Sequence, residues 1–493
     1  MEISILVFFI DWRYDMYNRK TIRVYNTHIE ISPYEQGENK EFEFELSLWN
    51  SHTFTLIPVG YIVENHTLYI PRGIDLNYME FMFNGEITYE YKCDPYGKFK
   101  SKMTVDPRDE IEEGAIKFLS IKDNPSNVKH SQFGLLLDTG LGKTYTMTHT
   151  VITQGINAII ITHQDKIKHQ WYETFKNTSD LPEESLVDLD SSTAIEKLMN
   201  GKLSFGNIYF VNHQTLNSYY KQYGGKKLHT FFRKIKVGIK IYDEAHKFFQ
   251  NILLIDYFTN TLRTYYLTAT FDRSDPKERI IYKKAFSNIV KYGDEANNSV
   301  EPHIVLTVVR YHSSPSYTDL ISMKGRYGFS AYNFIDYALS EPGRIMPSII
   351  ETLLNKIGDK EGKILITSPK IESTEQIKDI LQYQTTKTIA TIHSKNTKEE
   401  NKRACNADII SSTIKSIGTG VDIKGLRYLI NLEPISYPGL ASQLRGRLRK
   451  IDDETESYLF YLIDMSIPGL EEMFKKIIPT MKRKCKKICY INI

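Results

Sequence analysis

Gly134-Leu135-Leu136-Leu137 runs straight into Asp138-Thr139-Gly140-Leu141-Gly142-Lys143-Thr144, and nothing else in the chain restricts its fold as tightly. An apolar strand, a glycine loop and a Lys-Thr pair opening a helix together meet the needs of a nucleotide's phosphates. The glycines let backbone N–H groups close on the oxygens, and the helix start favours negative charge. The lysine neutralises that charge, and the hydroxyl can hold Mg2+. Thr139, Gly140, Gly142, Lys143 and Thr144 are therefore candidate nucleotide-binding residues. Leu137 stands where the general pattern places its first glycine, but the shorter form Thr-Gly-x-Gly-Lys-Thr is intact.

A loop of this kind needs a parallel sheet behind it, and the surrounding pattern supplies one. Phe133–Leu137, Ala158–Ile161, Ile208–Val211, Val237–Tyr242 and Arg263–Leu267 are apolar runs without alternation, spaced by helix-length segments. A second set follows at Lys363–Thr367, Thr388–Ile392, Ala407–Ser411, Tyr428–Leu432 and Ser457–Ile463. Strands buried on both faces read this way. The expectation is an α/β chain with two parallel-sheet domains, at 106–295 and 346–470. The polar, turn-rich stretch 296–345 joins them, and 471–493 forms a basic tail. Before them, residues 1–105 show short alternating runs such as Phe42-Glu43-Phe44-Glu45-Leu46, broken by turn signals such as Asn84-Gly85. That is the strand-and-hairpin pattern of a small β-rich accessory domain.

The 493 residues and 25% charged side chains suit a soluble protein of several domains. A net charge of +3 says little about partners, but its distribution says more: residues 1–100 hold 9 basic and 15 acidic side chains. The densest basic run is Lys482-Arg483-Lys484-Cys485-Lys486-Lys487, which reads as added phosphate contacts or as a solvated helix end. Four scattered cysteines exclude a disulfide scaffold, and Cys485 and Cys489 lack a second ligand pair for zinc. The apolar run Ile3 to Ile10 is too short to span a membrane and lacks the basic start of a signal peptide. The expectation is an intracellular, soluble protein that does not engage a membrane, in the cytoplasm of a bacterial or host cell or associated with a virion.

One hundred residues after Lys143, the run Val237–Tyr242 presents Asp243-Glu244-Ala245-His246 at its end. An aspartate at a strand tip can complete a magnesium shell, and the adjacent glutamate can orient and deprotonate water.

With both sites placed, residues 106–465 resemble the superfamily 2 helicases and translocases of the DEAH-box type. Further motifs stand in the order that family shows. Leu267-Thr268-Ala269-Thr270 resembles its motif III, and Ile160-Ile161-Thr162-His163 with His169-Gln170-Trp171 resembles motif Ia. Asn212-His213-Gln214-Thr215-Leu216 lies where a nucleic-acid-contacting motif belongs, and Lys363–Ser368 resembles motif IV. Gly418-Thr419-Gly420-Val421-Asp422 and Gln443-Leu444-Arg445-Gly446-Arg447 are similar to motifs V and VI.

The resemblance implies two RecA-like domains that use ATP and Mg2+, with Thr144 and Asp243 toward the metal. Lys143, Asp243, Glu244, Gln443 and Arg447 would be catalytic, and Gly420, Asp422 and Arg447 would contact nucleotide from the second domain. His246, Thr268 and Thr270 would couple nucleotide state to movement. Thr162, His163, His213, Gln214 and Ser368 would face nucleic acid. The sequence departs from the family in having Lys450 at the second motif VI cation, with Arg449 one residue early as the alternative, Phe271 after Thr-Ala-Thr, and Asp109–Ile116 where many relatives carry an adenine-reading glutamine.

Within the superfamily, the phosphate loop and Gln170-Trp171 look more like duplex- and branched-DNA-directed members, among them Swi/Snf-type translocases, RecG, XPB and UvsW. The abundance of Ile, Lys, Asn and Tyr suggests a viral or phage source. The implied activity is ATP-dependent translocation on DNA, its unwinding or branch migration. RNA unwinding is the first alternative, and an ATP-gated transcription or remodelling factor that separates no strands is the second. Replication, recombination or transcription machinery would supply any protein partners. Trp171, on an amphipathic helix, reads as core before it reads as a base-stacking surface.

Overall fold

Alternate residues of Thr21–Tyr25 are fully buried, and this strand anchors an antiparallel sheet at the front of the chain. Its order is Ile62–Glu64, Thr67–Pro71, His28–Ser32, Thr21–Tyr25, Glu86–Glu90, with the last pair parallel. The computed structural model describes residues 20–50, 53–122, 131–138, 140–268, 276–293, 302–325, 328–340, 345–418, 423–449, 451, 455–483 and 485–493. The apolar stretch Ile3 to Ile10 and the site candidates Thr139, Thr270, Gly420 and Asp422 lie outside them.

One front-region expectation is corrected. Phe42-Glu43-Phe44-Glu45-Leu46 alternates like a strand, yet Lys40–Glu45 is helical. Asn39 caps the helix by accepting from the Phe42 N–H. Phe42 and Leu46, four apart, are buried while Phe44 is exposed, so the helical period decides which rings go inside.

By contacts the chain divides into two units, Met1–Leu137 with Leu141–Ala296, and Asp138–Gly140 with Asn297–Ile493. The first contains a seven-stranded, all-parallel sheet. Its order is Leu186–Leu189, Ile208–Asn212, Ala158–Thr162, Ile239–Tyr242, Arg263–Leu267, Gln132–Leu135, Val290–Tyr292. One core fills a single face of this sheet. The core on the other face is continuous with the front region, from Ile22 to Ile289. The front sheet is also tied down by polar contacts: Glu64 accepts from the Gly225 N–H at 3.1 Å and from the Tyr220 hydroxyl at 3.2 Å. At a separate point Gly73 lets the front region approach the helix Pro276–Ala285, because a Cβ there would stand 2.4 Å from the Ala285 carbonyl oxygen.

The second unit holds another seven-stranded parallel sheet, ordered Ile389–Ile392, Ile409–Thr413, Lys363–Ser368, Leu426–Asn431, Ser457–Asp464, Ile304–Tyr311, Cys485–Asn492. Here the organisation differs from the sequence expectation. The 296–345 stretch contributes the strand Ile304–Tyr311, buried along nearly its whole length. The basic tail contributes the helix Leu470–Lys482 and the edge strand Cys485–Asn492. Both were masked in the sequence by polar flanks, and the lysines of the edge strand suppress its apolar alternation.

Candidate active site

The phosphate loop leaves the strand Gln132–Leu135 and ends in the helix Lys143–Gln154. Gly140 and Gly142 take φ of +88° and +79°, a region L side chains avoid. Gly142 has a further reason to lack a side chain: a Cβ there would stand 2.2 Å from Glu112 Oε1. The Lys143 ammonium donates to the Leu137 carbonyl at 2.7 Å, so the loop closes on its own lysine. Thr144 follows in the first turn of the same helix.

Glu112 lies within Asp109–Ile116, where the sequence offered no adenine-reading glutamine. Its carboxylate is buried against the loop, accepts from the Arg108 N–H at 2.7 Å and meets the Arg108 guanidinium at 3.3 Å. Burial pushes its pKa up, with the Arg108 contacts opposing. A buried acid beside a phosphate loop cannot be read from a surface-like Glu-rich string, because the burial comes from packing against the loop.

Asp243 and Glu244 stand at the tip of the strand Ile239–Tyr242, at the same end of the sheet as Lys143. The Trp171 indole N–H donates to Asp243 Oδ2 at 2.8 Å and orients that carboxylate. Trp171 is fully buried, so the sequence reading of it as core holds, with a polar duty added. Burial, then the negative charge of Glu244, pushes the Asp243 carboxyl up to about 6. Burial acts the same way on Glu244 but is outweighed by His246, Lys143, Lys247 and His163, which hold its carboxyl low. Glu244 adopts a left-handed φ of +53°, a strained conformation for a non-glycine residue at a loop of this kind.

His246 is buried, its Nδ1 2.9 Å from Thr268 Oγ1 and 3.2 Å from Glu244 Oε2. Thus the structure brings Lys143, Asp243, Glu244, His246 and Thr268 onto one end of one sheet. Magnesium fits this chemistry, since Asp243 and Glu244 are adjacent carboxylates with excess negative charge at a strand tip beside the phosphate loop. Magnesium keeps most of its shell as water and phosphate oxygens, so one or two protein oxygens, for which Asp243 and Thr144 are the candidates, would suffice.

The residues assigned to nucleic acid fall differently. Thr162 is buried and donates to Asn212 Oδ1 at 2.7 Å, and Gln214 is exposed. His163 and His213 are both buried. Burial, with Lys247 adding to it, pulls the His163 pKa down to about 3, and burial pulls His213 down to about 4. In the second unit Ser368 is buried, its hydroxyl 2.8 Å from that of Ser373. Gln443 lies on the helix Pro438–Arg445, and Arg447 follows its cap, the Arg447 N–H donating to the Leu444 carbonyl at 3.1 Å.

Residues 105–273 match the family described as "Type III restriction enzyme, res subunit", and residues 347–452 match "Helicase conserved C-terminal domain". No curated protein matches the chain in sequence. Among solved structures, it is similar to a fragment of a putative HsdR subunit of a type I restriction enzyme from Vibrio vulnificus YJ016. That likeness has 13% identity and a TM-score of 0.51, over 78% of this chain and 68% of that one. S. cerevisiae Dbp5 bound to RNA and ADP BeF3 gives 13% identity and a TM-score of 0.49, over 78% and 89% of the chains. T4 UvsW gives 14% identity and 0.35, over 96% and 99%. At such identities the HsdR likeness shows a shared fold, and the two lower-scoring ones add nothing to it. No described helix is long and apolar enough to cross a membrane.

Proposed function

We propose that this chain, which carries the paired helicase-type ATPase domains of superfamily 2, couples ATP hydrolysis to translocation on DNA, its unwinding or branch migration. One observation carries the reading: Lys143, opening its helix, and Asp243-Glu244, at a strand tip, occupy the same end of one parallel sheet.

In this reading Lys143 leaves the Leu137 carbonyl to neutralise the β- and γ-phosphates, and loop N–H groups from Gly140 to Thr144 cradle them. Thr144 and Asp243 would hold magnesium, which would supply screening of the phosphate charge. Trp171 holds Asp243 in place for that task. Glu244 accepts a proton from the attacking water, which its low pKa permits at neutral pH. His246 then passes a change at Glu244 to the Thr268 hydroxyl. Gln443 and Arg447, with Gly420 and Asp422, act from the second domain, Arg447 stabilising charge on the transferring phosphoryl group. DNA is preferred over RNA because the phosphate loop Asp138–Thr144 and Gln170-Trp171 resemble those of the duplex-directed DNA members, and the Asp-Glu-Ala-Asp ending of the RNA-specific members is absent.

Replacing Glu244 with Gln is expected to lower ATP turnover at least about 100-fold while leaving binding of a fluorescent ATP analogue intact. Undiminished turnover would remove the assignment. ATPase rates with single-stranded, duplex and four-way-junction DNA and with structured RNA test the substrate. Stimulation by RNA alone would overturn the DNA assignment. Strand displacement beside triplex displacement separates unwinding from duplex translocation.

A further inference from the structure

The strands Ile208–Asn212, Ala158–Thr162 and Ile239–Tyr242 are neighbours and end side by side. The segments leaving them bring together His213, His163 and the Lys247-Phe248 pair. The Phe248 ring centroid lies 4.7 Å from that of His213 and 6.5 Å from that of His163. Both imidazoles are buried, whereas Phe248 keeps 50% of its surface exposed. Its neighbour Phe249 is fully buried in the core, so the sequence had an aromatic for each side and this one points out.

The support beneath the ring is specific. Asn251 Nδ2 lies 3.1 Å from His213 Nδ1, an orientation fixed by the Asn217 side chain donating to Asn251 Oδ1 at 3.3 Å. Lys247 Nζ lies 3.3 Å from His163 Nε2. Each histidine therefore accepts at one ring nitrogen and carries its proton on the other. Those other nitrogens, His213 Nε2 and His163 Nδ1, have no hydrogen-bond partner among the described residues. The backbone is held under strain as well: Phe248 adopts φ +52° and ψ +39°, left-handed values that bulky residues avoid. An outward aromatic in a strained conformation, on a buried polar bed, is a poor arrangement for stability alone.

We propose that Phe248 is a stacking platform for an unpaired base of the bound nucleic-acid strand, an inference that rests on the nucleic-acid reading above. Every base has a π face, so such a contact tolerates any sequence, as a motor requires. Lys247 beside it supplies a cation for the neighbouring phosphate. Phe248 is two residues from His246, so a strand seated on the ring bears on the loop that carries Glu244. A base can reach the ring only when it is unpaired, which puts at least one unpaired nucleotide in the substrate.

Phe248→Leu keeps an apolar side chain over the imidazoles and removes the π face. Phe248→Trp keeps the face and makes it fluorescent. The full chain would be titrated with unstructured oligo(dT) and oligo(U) by fluorescence anisotropy, with thermal melts as the control for folding. The expected result is binding about tenfold weaker or more in F248L, an unchanged melting temperature, and tryptophan quenching in F248W beyond that of the unmodified chain. Unchanged affinity in F248L together with no added quenching in F248W overturns the platform alone. An unmodified chain that binds neither oligonucleotide overturns the nucleic-acid reading beneath it. Loss with one oligonucleotide alone supports the platform and names the sugar it serves.

Discussion

His163 and His213 are held neutral by their surroundings, and that choice has a pH signature. An unfolded histidine titrates near pH 6.5, whereas His213 in the fold titrates near 4 because burial disfavours its charge. Between those values the unfolded chain binds the extra proton, so stability is full above about pH 6.5 and declines toward pH 4. His213→Asn, which retains an acceptor for Asn251, is expected to flatten this decline, by up to about 3 kcal/mol at pH 4. Melting temperatures of the two proteins from pH 4 to 8 check it, and parallel curves would count against it. Lys143, Asp243, Glu244 and His246 were legible in the sequence because each is covalently tied to a strand end or helix start. Glu112 and the hydrogen bond of Trp171 were not, since their partners lie 30 and 72 positions away and only packing brings them together. Phe248 was invisible for a different reason: side-chain exposure has no sequence code in an aromatic pair.

At the scale of elements, the strand Ile239–Tyr242 that carries Asp243 is pinned from below by charge. Lys240 and Asp256 are both fully buried, 2.5 Å apart, and Asp256 also accepts from the Tyr242 hydroxyl at 2.8 Å and the Tyr266 hydroxyl at 2.6 Å. Asp256 sits on the helix Phe249–Tyr257, so one carboxylate joins that helix to two adjacent strands. Asp256→Ala strands a buried ammonium and two phenols and is expected to cost about 3–5 kcal/mol. A Lys240→Met, Asp256→Leu double variant removes both charges and should lose less. Urea denaturation of the three proteins gives the comparison, and equal losses would mean that packing dominates over charge. The parallel strands were readable as apolar runs, because burial on both faces removes alternation. The helix Lys40–Glu45 misled because a six-residue string fits both periods, and only the Asn39 cap separates them.

At the scale of the whole molecule, the cores are partitioned unevenly. The second unit's core is built of residues from Ile304 to Met481 alone. The front sheet has no such independence: Ile22, Val24 and Ile29 share one core with Ile159, Tyr242 and Tyr282. Residues 297–493 alone are therefore expected to give a folded fragment with a cooperative melt, whereas residues 93–296 without the front sheet should be insoluble. Circular dichroism and limited proteolysis of the two fragments check this, and a soluble, cooperatively melting 93–296 would refute the shared core. The front region's β-rich character was legible, but not its fusion to the first parallel-sheet domain, because shared burial leaves no mark on either segment.

The strand Ile304–Tyr311 pairs with Ser457–Asp464 on one side and Cys485–Asn492 on the other. During synthesis this apolar strand leaves the ribosome well before either neighbour exists, with both of its edges unpaired. Its sheet closes only after more than a hundred further residues have been made, a long-range closure that slows folding. For that interval the newborn chain carries a bare, hydrophobic edge of the kind that recruits other chains, so its solubility in a cell is set by chaperone supply and translation speed.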